Sequence, residues 1–253
     1  MRWNWLFLGF LALGGLLTLS CVELRNPADA PDPAKPIRVA TDATWQPFEF
    51  INPETHQFEG YDIDLMKAIA ANSGFEVEFL NVSWDPLLEG MAKEQYDAAI
   101  SSITITEDRK KEMLFSEPYF AAGQMVVVIK DNIVINGKDS LAGNVGFQEG
   151  TTGDYEVKKI KAVIPRPFDK IELAFKALLA GEIDAVVCDN PVALLYVGKY
   201  PDKLRTAGAV FTKENYGIAI AKHKTELQAR INSGLKSVKS EGLLDQLAEK
   251  WLK

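Results

Sequence analysis

With 253 residues, 47% hydrophobic and 25% charged, the chain is long enough for a large core and for two domains. Asp and Glu number 35 against 28 Lys and Arg, a formal charge of -7, and no basic run of useful length occurs, which excludes a nucleic-acid-binding footprint. The two cysteines, Cys21 and Cys188, are too far apart for a zinc or redox motif, and no motif surrounds His56 or His223. Cys188 reads as a buried, inert thiol.

The first twenty residues are a different material. "MRWNW" carries one arginine, and "LFLGFLALGGLLTLS" is an apolar run short for a spanning helix, so residues 1–20 read as an export signal. Ser20 before Cys21 fits a lipoprotein signal, although Thr18 sits where that pattern most often has leucine. The expectation is acylation of Cys21 and an extracytoplasmic, lipid-anchored protein on the periplasmic or outer surface of the cell membrane. A plain signal peptide or a true membrane anchor is the alternative. Residues 21–36, rich in Pro, Ala and Asp, are expected to be a flexible tether to a body beginning at Ile37.

From Ile37 strands and helices alternate. "IRVATD" is a short strand, and "FEGYDIDLMKAIAANSG" a turn and helix that Asp62 can cap. Leu65, Met66, Ile69 and Ala70 share one face of that helix, and Gly74 suits its end. "FEVEFLNV" alternates as a half-buried strand, "WDPLLEGMAKEQ" is helical and "YDAAISS" is a buried strand. This βαβαβ order argues for a mainly parallel sheet under helices. The grammar returns with strand "NVGFQEG", helices "TTGDYEVKKIK" and "DKIELAFKALLAGE", and strand "IDAVVCD". "MAKEQYDAAISS" parallels "LLAGEIDAVVCD", which puts Ser102 and Asp189 in equivalent places. "FSEPYFAAGQMVVVIK" and "ENYGIAIAKH" run between the lobes as two extended crossings, a hinge over a cleft, and amphipathic helices close the chain. The division is residues 37–121 with 218–253 as lobe 1, and 122–217 as lobe 2.

Four strand ends are polar, where open α/β sheets place ligands. "SSITITEDR" sets Ser101, Ser102 and Thr104 ahead of Arg109, whose fork pairs with an anion. Thr106 can cap a helix from Glu107 that aims the arginine. In "QEGTTGD", Thr151 and Thr152 offer free amides after a glycine turn, with Gln148 before them. No Walker lysine and no GxGxxG accompanies them, which argues against phosphate or dinucleotide. Asp189 ends an apolar strand and calls for a cation, while Asp42, Trp45 and Trp84 suit a polar or cationic side chain between aromatic faces. Each has a plainer alternative: a surface ion pair for Arg109, an N-cap for the threonines, an Asp-turn with Asn190 and Pro191 for Asp189, and core roles for the tryptophans. Together they describe an L-amino acid, held by carboxylate, ammonium and side chain.

"ATDATWQPFEF", "GYDIDLMKAIA", "YDAAISSITITEDRK", "FSEPYF", "GFQEGTTG" and "DAVVCDNP" carry a resemblance in their order and spacing. Over residues 37–253 the chain resembles the polar amino-acid-binding proteins of ABC importers, solute-binding protein family 3, of the glutamine or basic-amino-acid type. The resemblance implies an α/β, two-lobed periplasmic-binding-protein-like fold (type II) with two strand crossovers as hinge. It also implies a monomer without catalytic residues, cofactor or metal, which hands one L-amino acid to a permease and its ATPase. Arg109 then clamps the α-carboxylate with Ser102, Thr104 and the Thr151–Thr152 amides, Asp189 takes the α-ammonium with Ser102 or Thr104, and Ser101 belongs to the same loop. Trp45 and Trp84 flank the side chain, Asp42 reaches its end and Gln148 lines the pocket. Relatives usually have tyrosine or phenylalanine at the flanking positions.

Asp42 between two aromatic faces favours an arginine-like ligand, and glutamine comes next because glutamine binders of this family also carry the aspartate. A dehydratase of small acids built on the same fold is the enzymatic alternative, though Asp189 keeps the binding-protein pattern. A receptor's sensor domain is not expected, since the chain ends at "AEKWLK" with no apolar run after it.

Overall fold

A computed structural model describes residues 35–253; the export signal over 1–20, the acylation of Cys21 and the tether as far as residue 34 lie outside the described residues. The chain enters at β1 (Ile37–Thr41) and runs through β2 (Thr44–Trp45), β3 (Glu49–Ile51), β4 (Phe58–Glu59), α1 (Tyr61–Ser73), β5 (Val77–Asn81), α2 (Trp84–Ala92), β6 (Ala98–Ala99), α3 (Glu107–Glu112) and β7 (Leu114–Phe115). It crosses by β8 (Phe120–Ala122) into β9 (Gln124–Ile129), β10 (Gly143–Gln148), α4 (Thr152–Lys158), β11 (Val163–Phe168), α5 (Ile171–Ala180), β12 (Ala185–Asp189), α6 (Asn190–Lys199) and β13 (Leu204–Ala207). It returns by β14 (Glu214–Tyr216) to β15 (Ala219–Ile220), α7 (Thr225–Ser240) and α8 (Leu243–Trp251).

Two five-stranded sheets result, ordered β5-β1-β6-β15-β7 and β11-β10-β12-β9-β13. In each, four strands run one way and the fourth in the order, β15 or β9, runs against them. The internal similarity read from "YDAAISS" and "IDAVVCD" has a counterpart in bonding. Asp97 Oδ2 accepts from Arg38 N at 2.7 Å, and Asp184 Oδ2 accepts from Asn144 N at 2.7 Å. One aspartate latches each central strand to its parallel neighbour, and Ser102 and Asp189 lie five residues on from these latches. β8 and β14 pair antiparallel between the sheets as the double crossing.

Helices cover both faces of each sheet, as buried parallel strands require. Leu65, Met66 and Ile69 of α1 pack with Leu227, Ile231 and Leu235 of α7 on one side of the first sheet, while Leu87 and Met91 of α2 close the other. Val157 of α4 and Phe175 of α5 cover opposite faces of the second, where Cys188 is buried as a free thiol.

Two expectations are corrected. Asp62 does not cap α1: the N-cap position is Gly60, at φ 127°, without a side-chain cap bond. A Cβ there would sit 2.1 Å from Phe48 O, so only glycine fits. Asp62 is instead fully buried, accepting from Ser102 N at 2.7 Å and Tyr119 Oη at 2.7 Å. The second correction is β11, a strand beyond those expected. Its "VIPRPF" has two prolines, tolerated because β11 is an edge strand whose alternate nitrogens face away from β10.

Candidate functional site

Strand ends from both sheets converge on a small cavity between the lobes. All eleven expected residues line it, together with Glu49.

Thr106 caps α3 as expected, its Oγ1 accepting from Arg109 N at 3.2 Å, and this turn sends Arg109 into the cleft. Arg109 is 8% exposed, and its guanidinium donates to Thr104 O at 2.9 Å and, across the cleft, to Gly150 O at 3.3 Å. These partners are carbonyls, and among the described residues Arg109 forms no ion pair. Burial pulls its pKa down, against the opposing pull of Tyr155, Asp189 and Glu214. A guanidinium buried without a carboxylate is costly, and an incoming anion offsets that cost. Its carbon lies 5.1 Å from the Trp84 ring centre, so one face of Trp84 already holds a protein cation.

Asp189 closes β12 at the N-cap position of α6 without capping it. Its Oδ1 accepts from Gln124 Nε2 at 2.7 Å. Burial and then the nearby Glu214 carboxylate push the Asp189 pKa up to about 8, against the pull of Arg109 and the Gln124 bond. A cation placed there would restore the ionised form.

Asp42 follows β1, accepting from Thr44 Oγ1 at 2.8 Å and, across the cleft, from Gln148 Nε2 at 3.4 Å. Gln148 is oriented by Ile171 N, which donates to its Oε1 at 3.1 Å. Burial raises the Asp42 pKa, partly opposed by its hydrogen bonds and by Lys170. Trp45 and Trp84 are 7% and 8% exposed, and neither indole N–H has a protein acceptor among the described residues.

Ser101 Oγ accepts from Asp42 N at 3.0 Å and donates to Glu49 Oε1 at 2.9 Å. Ser102 adopts φ 50°, a left-handed conformation uncommon for serine, pinned by its amide bond to Asp62. Thr104 turns its hydroxyl to Glu214 Oε2, at 2.8 Å. Thr151 is the N-cap of α4, accepting from Asp154 N at 3.3 Å, and Thr152 Oγ1 donates to Glu214 Oε2 at 2.8 Å.

Glu49 is the lining residue that sequence reasoning missed. It is fully buried, and burial, then the adjacent Asp62, hold its pKa well above the usual carboxylate range. Asp62 is itself pushed up to about 7 by burial. The available signal was a lone acid between phenylalanines in "PFEF", next to Trp45. Among the described residues no group of three or more His, Cys, Asp or Glu is placed to hold a metal ion, and no helix is long and apolar enough to cross a membrane.

The sequence pattern of the bacterial extracellular solute-binding proteins, family 3, matches residues 37–253. A probable histidine-binding protein of Neisseria gonorrhoeae is 36% identical over 250 residues, covering 95% of this chain and 92% of the relative. An ABC transporter glutamine-binding protein of Bacillus subtilis (strain 168) is 34% identical over 212 residues, covering 81% and 77%. Among solved structures, an ancestral arginine-binding protein bound to arginine superposes with a TM-score of 0.81 at 41% identity, covering 86% of this chain and 98% of that one. An ancestral amino-acid-binding protein described as a precursor of cyclohexadienyl dehydratase superposes with a TM-score of 0.79 at 37% identity, covering 86% and 95%.

Proposed function

The chain belongs to the family 3 bacterial extracellular solute-binding proteins, and from that premise we propose that it is the amino-acid-binding subunit of an ABC importer, closing its two lobes on a basic L-amino acid, arginine first. The observation that carries this reading is the buried Arg109, bonded to carbonyls of both lobes and ion-paired to no carboxylate among the described residues. An α-carboxylate is the anion that suits a planar fork at the bottom of a closed cleft.

Charge complementarity selects the rest of the ligand. The cavity brings the carboxyl groups of Asp42 and Asp189 against one guanidinium, while burial and the neighbouring Asp62 disfavour a charge on Glu49. A zwitterion with a cationic side chain answers that balance better than a neutral one. In this reading Arg109, Ser102 and the Thr151–Thr152 amides hold the carboxylate, and Asp189 holds the ammonium with help from the oxygen of Thr104, whose hydroxyl proton is given to Glu214. Asp42, Glu49, Gln148, Ser101 and the two tryptophans surround the side chain. Glutamine is the second ligand to test, since Gln148 already bonds Asp42 and a glutamine-binding relative is 34% identical. The lobes are 37–121 with 218–253, and 122–217, joined by β8 and β14. Acylation of Cys21 would keep this monomer on the extracytoplasmic face of the membrane, within reach of the permease and its ATPase.

The reading is not enzymatic: relatives carry binding-protein names. The dehydratase alternative draws on the similarity to a dehydratase precursor. A thermal-shift screen of ligand-free protein, residues 22–253, against the twenty L-amino acids separates these readings. Stabilisation by arginine, lysine or histidine is expected; a shift with glutamine alone would remove the charge argument, and no shift at all would favour the dehydratase.

A further inference from the structure

One carboxylate outside the cavity lining stands where the two lobes meet. Glu214 lies half-buried on β14, opposite Ala122 of β8. Its Oε2 accepts from Thr104 Oγ1 at 2.8 Å and from Thr152 Oγ1 at 2.8 Å, while its Oε1 accepts from Thr212 Oγ1 at 2.7 Å. Thr104 follows β6 in the first lobe and Thr152 opens α4 in the second, so one oxygen is bonded from both sides of the cleft.

The bonding continues to the ammonium end. Gln124 Nε2 donates to Thr152 Oγ1 at 3.1 Å and to Asp189 Oδ1 at 2.7 Å. Gln124 is itself fully buried, and its backbone N donates at 2.7 Å to the same Thr212 hydroxyl that binds Glu214. Glu214 and Asp189 are therefore joined through Thr152 and Gln124, and both act by charge on Arg109. Two carboxylates at one end of a closed cleft repel each other, and a cation between or beside them relieves both.

Resting on the amino-acid reading above and deepening it, we propose that Glu214 is a positioning residue for the ligand's α-ammonium. From the hinge it holds Thr104 and Thr152 in closed register, and it adds its negative charge to that of Asp189. The closed form thereby selects ligands that carry a free α-ammonium.

Titration calorimetry of the full chain at pH 7 tests this with two ligands, L-arginine and 5-guanidinovaleric acid, which is arginine without its α-ammonium. In Glu214→Gln, arginine affinity should fall at least about ten-fold, as for loss of a charge acting on a buried ionic group, while the analogue changes less than about three-fold. Glu214→Asp keeps the charge and should retain most of the arginine-to-analogue ratio. Equal weakening of both ligands in Glu214→Gln would mean a clasp without ammonium selection, and unchanged affinities would mean neither role; both overturn the inference. Loss of the ratio in Glu214→Asp as severe as in Glu214→Gln would also overturn it, because charge would then not be the cause. The wild type is the control. Arginine binding by wild type with any overturning result above sinks this inference alone, whereas failure of wild type to bind arginine sinks the site reading with it.

Discussion

Arg109 concentrates the chemistry of the site in one side chain. Its fork touches Thr104 O in one lobe and Gly150 O in the other, so its removal takes away the proposed anion partner and a cross-cleft contact together. Arg109→Ala should weaken amino-acid binding by more than about 100-fold, in line with the several kcal/mol that separate paired from unpaired buried charges. Calorimetry checks this, and near-wild-type affinity would remove the central role of the residue. Asp189 makes a prediction with a definite sign. Its carboxyl titrates at about 8 in the fold, above its ordinary value of 3.8, so across that window the folded chain holds a proton that the unfolded chain has lost. The stability associated with this group is present at low pH and is lost as pH rises toward 8; Asp62, pushed up to about 7, acts in the same direction. The Tm of ligand-free protein should fall between pH 5 and 8, less steeply in Asp189→Asn, and a rising Tm with no dependence on Asp189 would contradict the assignment. A ligand ammonium that ionises Asp189 should also release about one proton at pH 7, read from binding heats in buffers of different ionisation enthalpy.

Short elements, rather than single contacts, aim these side chains. α3 is six residues long, and its start is set by the Thr106 cap, which accepts from the amide of Arg109 itself. Thr106→Ala should cost about 1 kcal/mol of stability, typical for a lost N-cap, and should weaken ligand binding as well because the same turn points the arginine. A denaturation curve with a matched calorimetric titration separates the two effects. At α1 the requirement is steric. Gly60 combines φ 127° with an approach to Phe48 O that leaves no room for a Cβ, and the helix it opens carries Asp62 under the Ser102 amide. Gly60→Ala should lower stability by more than about 2 kcal/mol, the scale of strained backbone combined with overpacking. A change within about 0.5 kcal/mol would show that the turn relaxes freely.

On the scale of the whole molecule, the site exists because two lobes of the same plan face each other across a double strand. Cross-cleft bonds from Arg109 to Gly150 and from Gln148 to Asp42, with Glu214 bonded by Thr104 and Thr152, define a closed arrangement. Lys199 Nζ adds a contact at the rim, donating to Gln46 Oε1 at 2.8 Å. A ligand touching both lobes stabilises this state by its differential affinity for closed over open. Solution scattering should therefore show a smaller radius of gyration with saturating arginine than without it. An identical radius in both conditions would mean that binding does not drive closure.

The division of labour between sequence and fold follows from the range of the forces involved. Strand and helix periodicity, the glycine that ends α1, the Thr106 cap and the polar ends of "ATD", "AISS", "GFQEG" and "VVCD" are local, so they could be read along the chain, and all eleven expected residues line one cavity. What they bind is decided by chemistry that local pattern expresses only weakly, which is why arginine and glutamine both fitted the motifs. Other features depended on the tertiary structure. Asp62 looks like a cap in sequence, yet packing turns it inward to a serine amide and a tyrosine hydroxyl. Glu49 belongs to none of the polar strand ends, yet it is fully buried and accepts from the Ser101 hydroxyl, 52 residues away in sequence. β11 carries prolines that are tolerable only at a sheet edge, and an edge is a property of the assembled sheet. The meeting of Thr104, Thr152 and Glu214 joins positions 110 and 62 residues apart. No periodicity encodes such a meeting, because it is set by how two separately folded lobes dock across a hinge.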